Sequence, residues 1–307
     1  MQGTTFFFGW EVALQAWIQA HLGSFGIAIM SFLTLFGEEV MVIAVLGYLY
    51  WCYDKAFGKF IGTNVVVGVV LNPLLKNLVL RRRPYFDHES IRCLKPVDAG
   101  ADIYDIAAQG YSFPSGHSLN SAIVYGTMPV YRKKKWLYAI AFLMPLLVGV
   151  SRVALGVHYA TDVLAGWALG AGVVCLISFL QRRIRRTGVL HLIIFLLSLT
   201  GIFYCRTTDY FTGLGLMAGF FLAYPFEEKV VRFKETRSIV KSILRVLIGG
   251  ALYFALNTLL KLPFSKAFLD SGLLAANLLR TLRYGIIGFL LMGVYPMAFD
   301  RIHPRKS

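Results

Sequence analysis

The chain has 307 residues, of which 57% are hydrophobic and 15% charged, and its mean hydropathy is +0.63. These values exclude an ordinary soluble domain and indicate an integral membrane protein. The net charge is +15 at pH 7. Because the basic residues are spread along loops rather than gathered with aromatics on one face, they indicate topology and attraction to anionic lipid, not nucleic-acid binding.

The N-terminal region, from about Glu11 to Leu35, combines apolar and amphiphilic character. Glu11, Gln15 and Gln19 recur there at helical spacing. This pattern predicts an interfacial or re-entrant helix, and it leaves open whether the segment crosses the membrane.

Later apolar runs are long enough to span the hydrocarbon as helices, and they lack the alternation of membrane β-strands. The expected fold is therefore all-α, a polytopic bundle of membrane helices. A kink is expected inside the second run, at Asn72-Pro73. The predicted spans lie near residues 40–53, 60–80, 117–131, 136–150, 158–180, 189–203, 212–224, 239–260 and 273–297.

Basic residues in the connecting loops orient this stack. If the spans alternate, one face carries the clusters 132–135 and 182–186, and the positive-inside rule places that face in the cytoplasm. The polar segment from Arg81 to Phe113 and the turn before His158 then lie on the non-cytoplasmic face. The C-terminus is expected in the cytoplasm, and the membrane is the plasma membrane if the source is bacterial.

One stretch, Ser151 to Asp162, places Arg152, His158 and Asp162 inside an otherwise apolar sequence. Charged groups are rare in membrane segments and usually functional. If the segment from about Gly156 is helical, His158 and Asp162 stand at i,i+4, where the carboxylate can orient the imidazole. A histidine so oriented beside a cation can attack a phosphorus atom whose oxygens the cation binds.

A second group of cations precedes the polar segment. Lys76 and Arg83 are seven residues apart and so share one helical face, with Pro84 ending the helix. Both can converge on one anion. Arg81 and Arg82 are expected only to anchor the helix end by reaching to the interface.

The sequence Phe113-Pro-Ser-Gly-His-Ser opens the next span. Ser115 is a good N-cap, and Gly116 permits close approach of a ligand to the backbone. Free N–H groups and the helix dipole favour an anion at such a site. His117, in the first turn, could protonate a departing alkoxide.

These three segments together read K-x6-R-P, P-S-G-H and S-R-x5-H-x3-D. The pattern resembles the type 2 phosphatidic acid phosphatase superfamily, and the resemblance extends to about residue 180. It implies a six-helix phosphatase core, here within residues 1–186, followed by additional transmembrane helices over 187–307.

The resemblance also implies a role for each motif residue. His158 would be the nucleophile, Asp162 its orienting partner and His117 the general acid. The phosphoryl oxygens would be bound by Lys76, Arg83, Ser115, Gly116 and Arg152.

The resemblance implies a reaction that runs through a phosphohistidine without a metal or cofactor, on a lipid phosphate reached from the bilayer. Two alternatives stay open: a phosphotransferase that passes the group to an acceptor alcohol, and a non-catalytic lipid-binding or transport protein. The lipid itself is undetermined. A faint similarity to the sphingoid-base-phosphate phosphatase branch leaves polyprenyl pyrophosphate, phosphatidic acid and phosphatidylglycerophosphate as candidates.

Overall fold

The structure is a computed structural model that describes residues 3–299, and its regular elements there are helical. The β-type contact described in this range is an isolated bridge between Thr4 and Arg81. The predicted all-α fold is confirmed. The last eight residues, 300–307, lie outside the described part, and with them the end of the chain that is expected in the cytoplasm.

The α-helices of the described range follow one another with short connections, apart from the polar segment after the fourth. In chain order they are α1 (Gly9–His21), α2 (Ser24–Leu33), α3 (Glu39–Tyr48), α4 (Lys55–Val79), α5 (Pro84–Asp87), α6 (Ile106–Gln109), α7 (Gly116–Arg132), α8 (Lys135–Ala154), α9 (Ala160–Arg183), α10 (Thr187–Ser198), α11 (Thr208–Phe226), α12 (Ile239–Leu259), α13 (Lys266–Leu269) and α14 (Leu274–Phe289).

Five helices of the described range are long and apolar enough to cross a membrane. They are α4, α8, α9, α12 and the helix Leu274–Ala298, which continues α14. Helices also occupy the other predicted spans, but they are not among the five. Glu39–Tyr53 and Thr187–Phe203 are shorter apolar helices, and α7 has only 17 residues with a polar first turn.

The N-terminal region is a bent pair of helices, Gly9–His21 and Ser24–Gly37, which meet at 119°. Such a pair is a broken span or a re-entrant loop, in keeping with the segment predicted there. Its polar face is turned into the protein, since Glu11, Gln15 and Gln19 are all buried.

The chain forms two compact units. The first consists of the residues up to Val42 together with Leu71–Ser178. In it α9 packs closely on α7, because a Cβ on Gly166 would lie 2.7 Å from the Ser115 carbonyl oxygen and one on Gly170 would lie 2.6 Å from Ala122 Cβ.

The second unit consists of Ile43–Val70 together with the residues from Phe179 on. Here α11 packs on α14 through small residues, since a Cβ on Gly215 or Gly219 would lie 2.3 Å from a carbonyl oxygen of α14. Close backbone approach of this kind is typical of membrane helix pairs. The boundary at residue 186 between a phosphatase core and its additions stays a prediction.

Candidate active site

The three motif segments meet within the first unit. They are the end of α4 with the loop after it, the start of α7, and the passage from α8 to α9. A backbone hydrogen bond, in which Ser115 N donates to the Asp162 carbonyl oxygen at 3.0 Å, joins the second segment to the third. Residues up to 86 positions apart in sequence thus surround one site.

His158 lies in the loop between α8 and α9 and is 2% exposed. The sequence predicted a helix from about Gly156, but Gly156 has φ +80° and α9 begins only at Ala160. The histidine and Asp162 still meet, because Asp162 Oδ2 accepts a 2.8 Å hydrogen bond from Tyr159 N and so turns back over the loop. His158 Nδ1 then lies 3.5 Å from Asp162 Oδ2.

The two ring nitrogens of His158 have different surroundings. Nδ1 faces the Asp162 carboxylate, at a distance longer than an ordinary hydrogen bond. Nε2 lies 3.4 Å from Nη1 of Arg83, which is a donor only. A carboxylate at one nitrogen and a donor at the other favour the tautomer with the proton on Nδ1 and the lone pair on Nε2.

Burial, and then the positive charges of Arg83, Arg152 and Lys76, hold the pKa of His158 well below its ordinary value. His117 contributes to the same shift. A lowered pKa favours the neutral imidazole, which is the form that can act as a nucleophile.

Arg83 is fixed by backbone carbonyl groups. Its Nε donates to the carbonyl oxygens of Gln109 at 2.9 Å and Gly110 at 3.0 Å, and its Nη1 donates to that of Val157 at 2.8 Å. The side chain is 2% exposed. These bonds hold the guanidinium beside His158 without neutralising its charge.

Arg152, 3% exposed, is held at the end of α8. Its Nη1 donates a 2.8 Å hydrogen bond to Thr34 Oγ1, while its buried Nε has no hydrogen-bond partner among the described residues. A buried donor of this kind is normally satisfied by a ligand or water. No pattern in the sequence pointed to Thr34, which directly follows the apolar helix α2.

Ser115 caps α7 as predicted, accepting hydrogen bonds from Ser118 N at 3.4 Å and Ser118 Oγ at 2.9 Å. Asn72, in α4, donates to the Pro114 carbonyl oxygen at 3.1 Å and lies against Gly116. The hydrogen bond from Asn72 thereby fixes the N-terminus of α7 against α4. His117, half-buried in the first turn, is the group that the resemblance assigns as general acid.

Arg81 is the main site residue that the sequence analysis misjudged. It was expected to reach to the interface, but it is fully buried and forms ion pairs with Asp162 Oδ1 at 2.6 Å and Glu11 Oε2 at 2.9 Å. Both partners are distant in sequence, so nothing local reveals them. Arg82 is closer to the predicted role of an anchor at the interface, since its side chain is partly exposed and pairs with Asp87.

Two features of the polar segment from Arg81 to Phe113 complete the surroundings. Glu38 pairs with Lys95 at 2.7 Å. A cavity of about 560 Å³ lies in the loop, and its wall includes the aromatic residues Tyr85, Phe86 and Tyr104. In the described residues no group of three or more His, Cys, Asp or Glu side chains could hold a metal ion.

Comparison with known proteins gives two family matches. Residues 56–186 match the PAP2 superfamily, and residues 211–307 match the transmembrane extension of PAP2 superfamily phosphatases.

Curated relatives show the same relationship. The chain is 36% identical over 159 residues to phosphatidylglycerophosphatase B of Bacillus subtilis, covering 47% of this chain and 68% of the relative. It is 30% identical over 161 residues to the undecaprenyl-diphosphatase of Sulfolobus acidocaldarius, covering 52% and 71%. A lipid A 1-phosphatase of Rhizobium etli is 31% identical over 120 residues, covering 38% and 47%.

Proposed function

Because the chain belongs to the PAP2 superfamily and is a membrane phosphatase, we propose that it hydrolyses a phosphomonoester or pyrophosphate of a lipid through a phosphohistidine, without a metal. The observation that carries the proposal is a buried histidine with a carboxylate at one ring nitrogen and an arginine at the other. Arg83 and Arg152 have carbonyl, imidazole and hydroxyl partners, and within the described residues neither is paired with a carboxylate. Such unneutralised charge suits a phosphoryl group.

The first step forms a bond between phosphorus and His158 Nε2 and breaks the bond to the leaving oxygen. The lone pair on Nε2 supplies the electrons, while Asp162 faces the Nδ1 proton. The leaving alkoxide takes a proton from His117, whose protonated form is favoured by the negative charge of the bound phosphate. When the substrate is a pyrophosphate, the leaving group is the lipid monophosphate instead.

The second step returns the enzyme to its starting state. A water oxygen attacks phosphorus, its proton passes to His117, and the phosphorus–nitrogen bond breaks to release inorganic phosphate. Arg83, Arg152 and Lys76 neutralise the phosphoryl oxygens throughout, and the Ser115 hydroxyl and Gly116 amide add hydrogen bonds. Phosphoryl transfer depends mainly on such positioning and charge stabilisation.

The substrate is a lipid whose phosphate is presented at the non-cytoplasmic surface. The relatives are named for phosphatidylglycerophosphate, undecaprenyl diphosphate and lipid A, so these three lipid classes are the first candidates for the substrate. The positive-inside distribution of basic loops supports this orientation of the site and a cytoplasmic C-terminus.

The test is phosphate release from a panel of these lipids by purified protein in detergent containing EDTA. We expect turnover by the wild type and a loss of about 10⁴-fold or more in His158→Gln, since removing a covalent nucleophile has effects of that size. His191→Gln is the matched control, because His191 is also buried but stacks on Phe221 in the second unit. An acid-labile, base-stable phosphoenzyme should form in the wild type and be missing from His158→Gln.

Two results would contradict the proposal. Unchanged turnover in His158→Gln would eliminate the phosphohistidine, and a strict requirement for added Mg²⁺ would eliminate metal independence. Loss of phosphate that depends on an added alcohol would identify a phosphotransferase.

A further inference from the structure

Arg81 links the catalytic loop to the N-terminal helix through two carboxylates. One Nη atom donates to Asp162 Oδ1 at 2.6 Å and the other to Glu11 Oε2 at 2.9 Å. Glu11 Oε1 in turn accepts from both Thr161 N at 2.8 Å and Thr161 Oγ1 at 2.6 Å. The side chains of Glu11, Arg81 and Asp162 are all fully buried.

The same helix face also holds the loop that carries His158. Gln15 Nε2 donates to the carbonyl oxygens of Val153 at 2.7 Å and His158 at 3.1 Å. One turn further on, Gln19 Nε2 donates to the carbonyl oxygen of Ala154 at 3.2 Å. Three residues spaced four apart on α1 therefore fix both ends of the loop and the carboxylate behind the histidine.

Helix α1 lies outside both family matches, which cover residues 56–186 and 211–307. Its polar face has no counterpart in the three motifs. The motif residues Asp162 and His158 nevertheless depend on it for contacts, because Glu11 pairs with the Arg81 that holds Asp162 Oδ1, and Gln15 donates to the carbonyl oxygen of His158.

We propose that Glu11 and Arg81 are positioning residues for His158, and that α1 is thereby part of the catalytic apparatus. The inference rests on the phosphatase function proposed above. Arg81 fixes Asp162 Oδ1, which leaves Oδ2 directed at His158 Nδ1. Glu11 gives the Glu11–Arg81–Asp162 trio a net charge of −1, which stabilises the positive charge that develops on the imidazole when Nε2 bonds to phosphorus.

Arg81 also has a packing role that any test must separate from positioning. Its guanidinium lies 4.0 Å from the ring centre of Tyr159 and 4.4 Å from that of Phe6. Arg82 is the matched control, because it is the adjacent arginine and its ion pair is with Asp87 rather than Asp162.

The kinetic test compares Arg81→Gln, Arg81→Lys and Arg82→Gln. We expect Arg81→Gln to lower kcat by about 10- to 100-fold, the usual effect of removing a partner that orients a reacting group. KM and the inhibition constant of inorganic phosphate should stay within about threefold, because the phosphate-binding cations are untouched. Arg81→Lys should recover part of kcat, and Arg82→Gln should match the wild type.

Glu11→Gln keeps the shape of the side chain and removes its charge, and it carries the test if Arg81→Gln does not fold. Its kcat should fall by about tenfold, with the phosphate inhibition constant again unchanged. Equal losses in the Arg81 and Arg82 variants, or a kcat within twofold of the wild type in both Arg81→Gln and Glu11→Gln, would overturn the positioning role.

A second measurement does not depend on turnover. Ring ¹⁵N shifts of His158 in ¹⁵N-histidine-labelled protein, assigned with His158→Gln, should report the Nδ1-protonated tautomer in the wild type. Arg81→Gln should move them toward a mixture of tautomers, and Arg82→Gln should not. A wild type without lipid turnover but with Arg81-dependent shifts would reject the phosphatase alone. Lipid turnover combined with His158 ring ¹⁵N shifts that change in neither Arg81→Gln nor Glu11→Gln would reject the positioning role alone.

Discussion

Each unit of the chain contains a buried group of charged side chains, and the two groups differ in how their charge is balanced. In the second unit Lys55 and Lys59 contact Glu227 at 2.8 and 2.7 Å, and Lys59 also contacts Glu228 at 3.1 Å. Glu227 is fully buried. Two cations and two carboxylates neutralise one another, so this group resembles a structural cross-link.

In the first unit the charges are separated instead. Arg81 is neutralised by Glu11 and Asp162, whereas Arg83 and Arg152 form no ion pair with a carboxylate in the described part of the chain, and their hydrogen-bond partners are neutral. Buried charge in a membrane protein suggests function by default. A local excess of positive charge therefore distinguishes the proposed phosphate site from the structural group, whereas burial does not.

The largest expected effect that tests this difference between the two groups is a loss of stability. Glu227→Gln leaves Lys59 buried without its main partner, and we expect the free energy of unfolding to fall by about 3–5 kcal/mol. Specific activity of the folded protein should be unchanged. Thermal unfolding in detergent measures the first and phosphate release the second. Glu228→Gln is the control, because its partly exposed side chain contributes well under about 1 kcal/mol. A Glu227→Gln protein of full stability would refute the cross-link.

Arg152→Gln should show the opposite behaviour. It removes a cation with no carboxylate partner, so we expect stability to be unchanged or raised while kcat/KM falls by about 10²- to 10³-fold. The matched control is Arg185→Gln, an exposed arginine in the loop after α9. If Arg152→Gln destabilises the protein as strongly as Glu227→Gln, the two groups do not differ in the way described.

Gly166→Ala tests whether the site requires the close approach of α9 to α7. The added Cβ would lie 2.7 Å from the Ser115 carbonyl oxygen, so we expect a loss of about 1–3 kcal/mol in stability from overpacking and a lower kcat/KM. Gly172→Ala lies in the same helix with open space around it and should be neutral. Equal behaviour of the two variants in both assays would show that the contact is unimportant.

The smallest expected effect is a shift in the pH dependence of activity. In the proposed mechanism neutral His158 is the nucleophile, and its pKa is lowered, so activity should persist as pH falls through 6.5 and disappear only at lower pH. The acid limb of kcat/KM measures this after correction for the substrate phosphate, which titrates near about pH 6. In Arg83→Gln a positive charge near the imidazole is lost, and the limb should move to higher pH. If the acid limb of the wild-type profile lay at or above pH 6.5, it would contradict the proposed excess of positive charge around His158.

The sequence was sufficient for the all-helical membrane fold and for the motif segments, because apolar length and fixed spacings are local properties. His158 and Asp162 were assigned as partners correctly, although the helix expected to join them begins later. Gly156 in a left-handed conformation explains the difference, since it forms a turn where helical spacing was assumed.

The residues that support the site could not be predicted from the sequence, for a different reason. Arg81, Thr34 and Asn72 act through partners 30 or more positions away, and a single sequence has no signal for such contacts. Glu11, Gln15 and Gln19 did give a signal, a polar stripe at helical spacing. That stripe fits a membrane surface as well as a protein interior, and only the tertiary contacts distinguish the two.

The link between Glu11 and its partners also constrains how the protein is made. Glu11 is 70 residues ahead of Arg81 and 150 ahead of Thr161. During synthesis the N-terminal helix therefore emerges long before either partner, and its carboxylate must stay in contact with water or the insertion machinery until α9 begins to enter the membrane. We therefore expect the final docking of α1 to be a late event of biogenesis, after synthesis of the loop that carries His158.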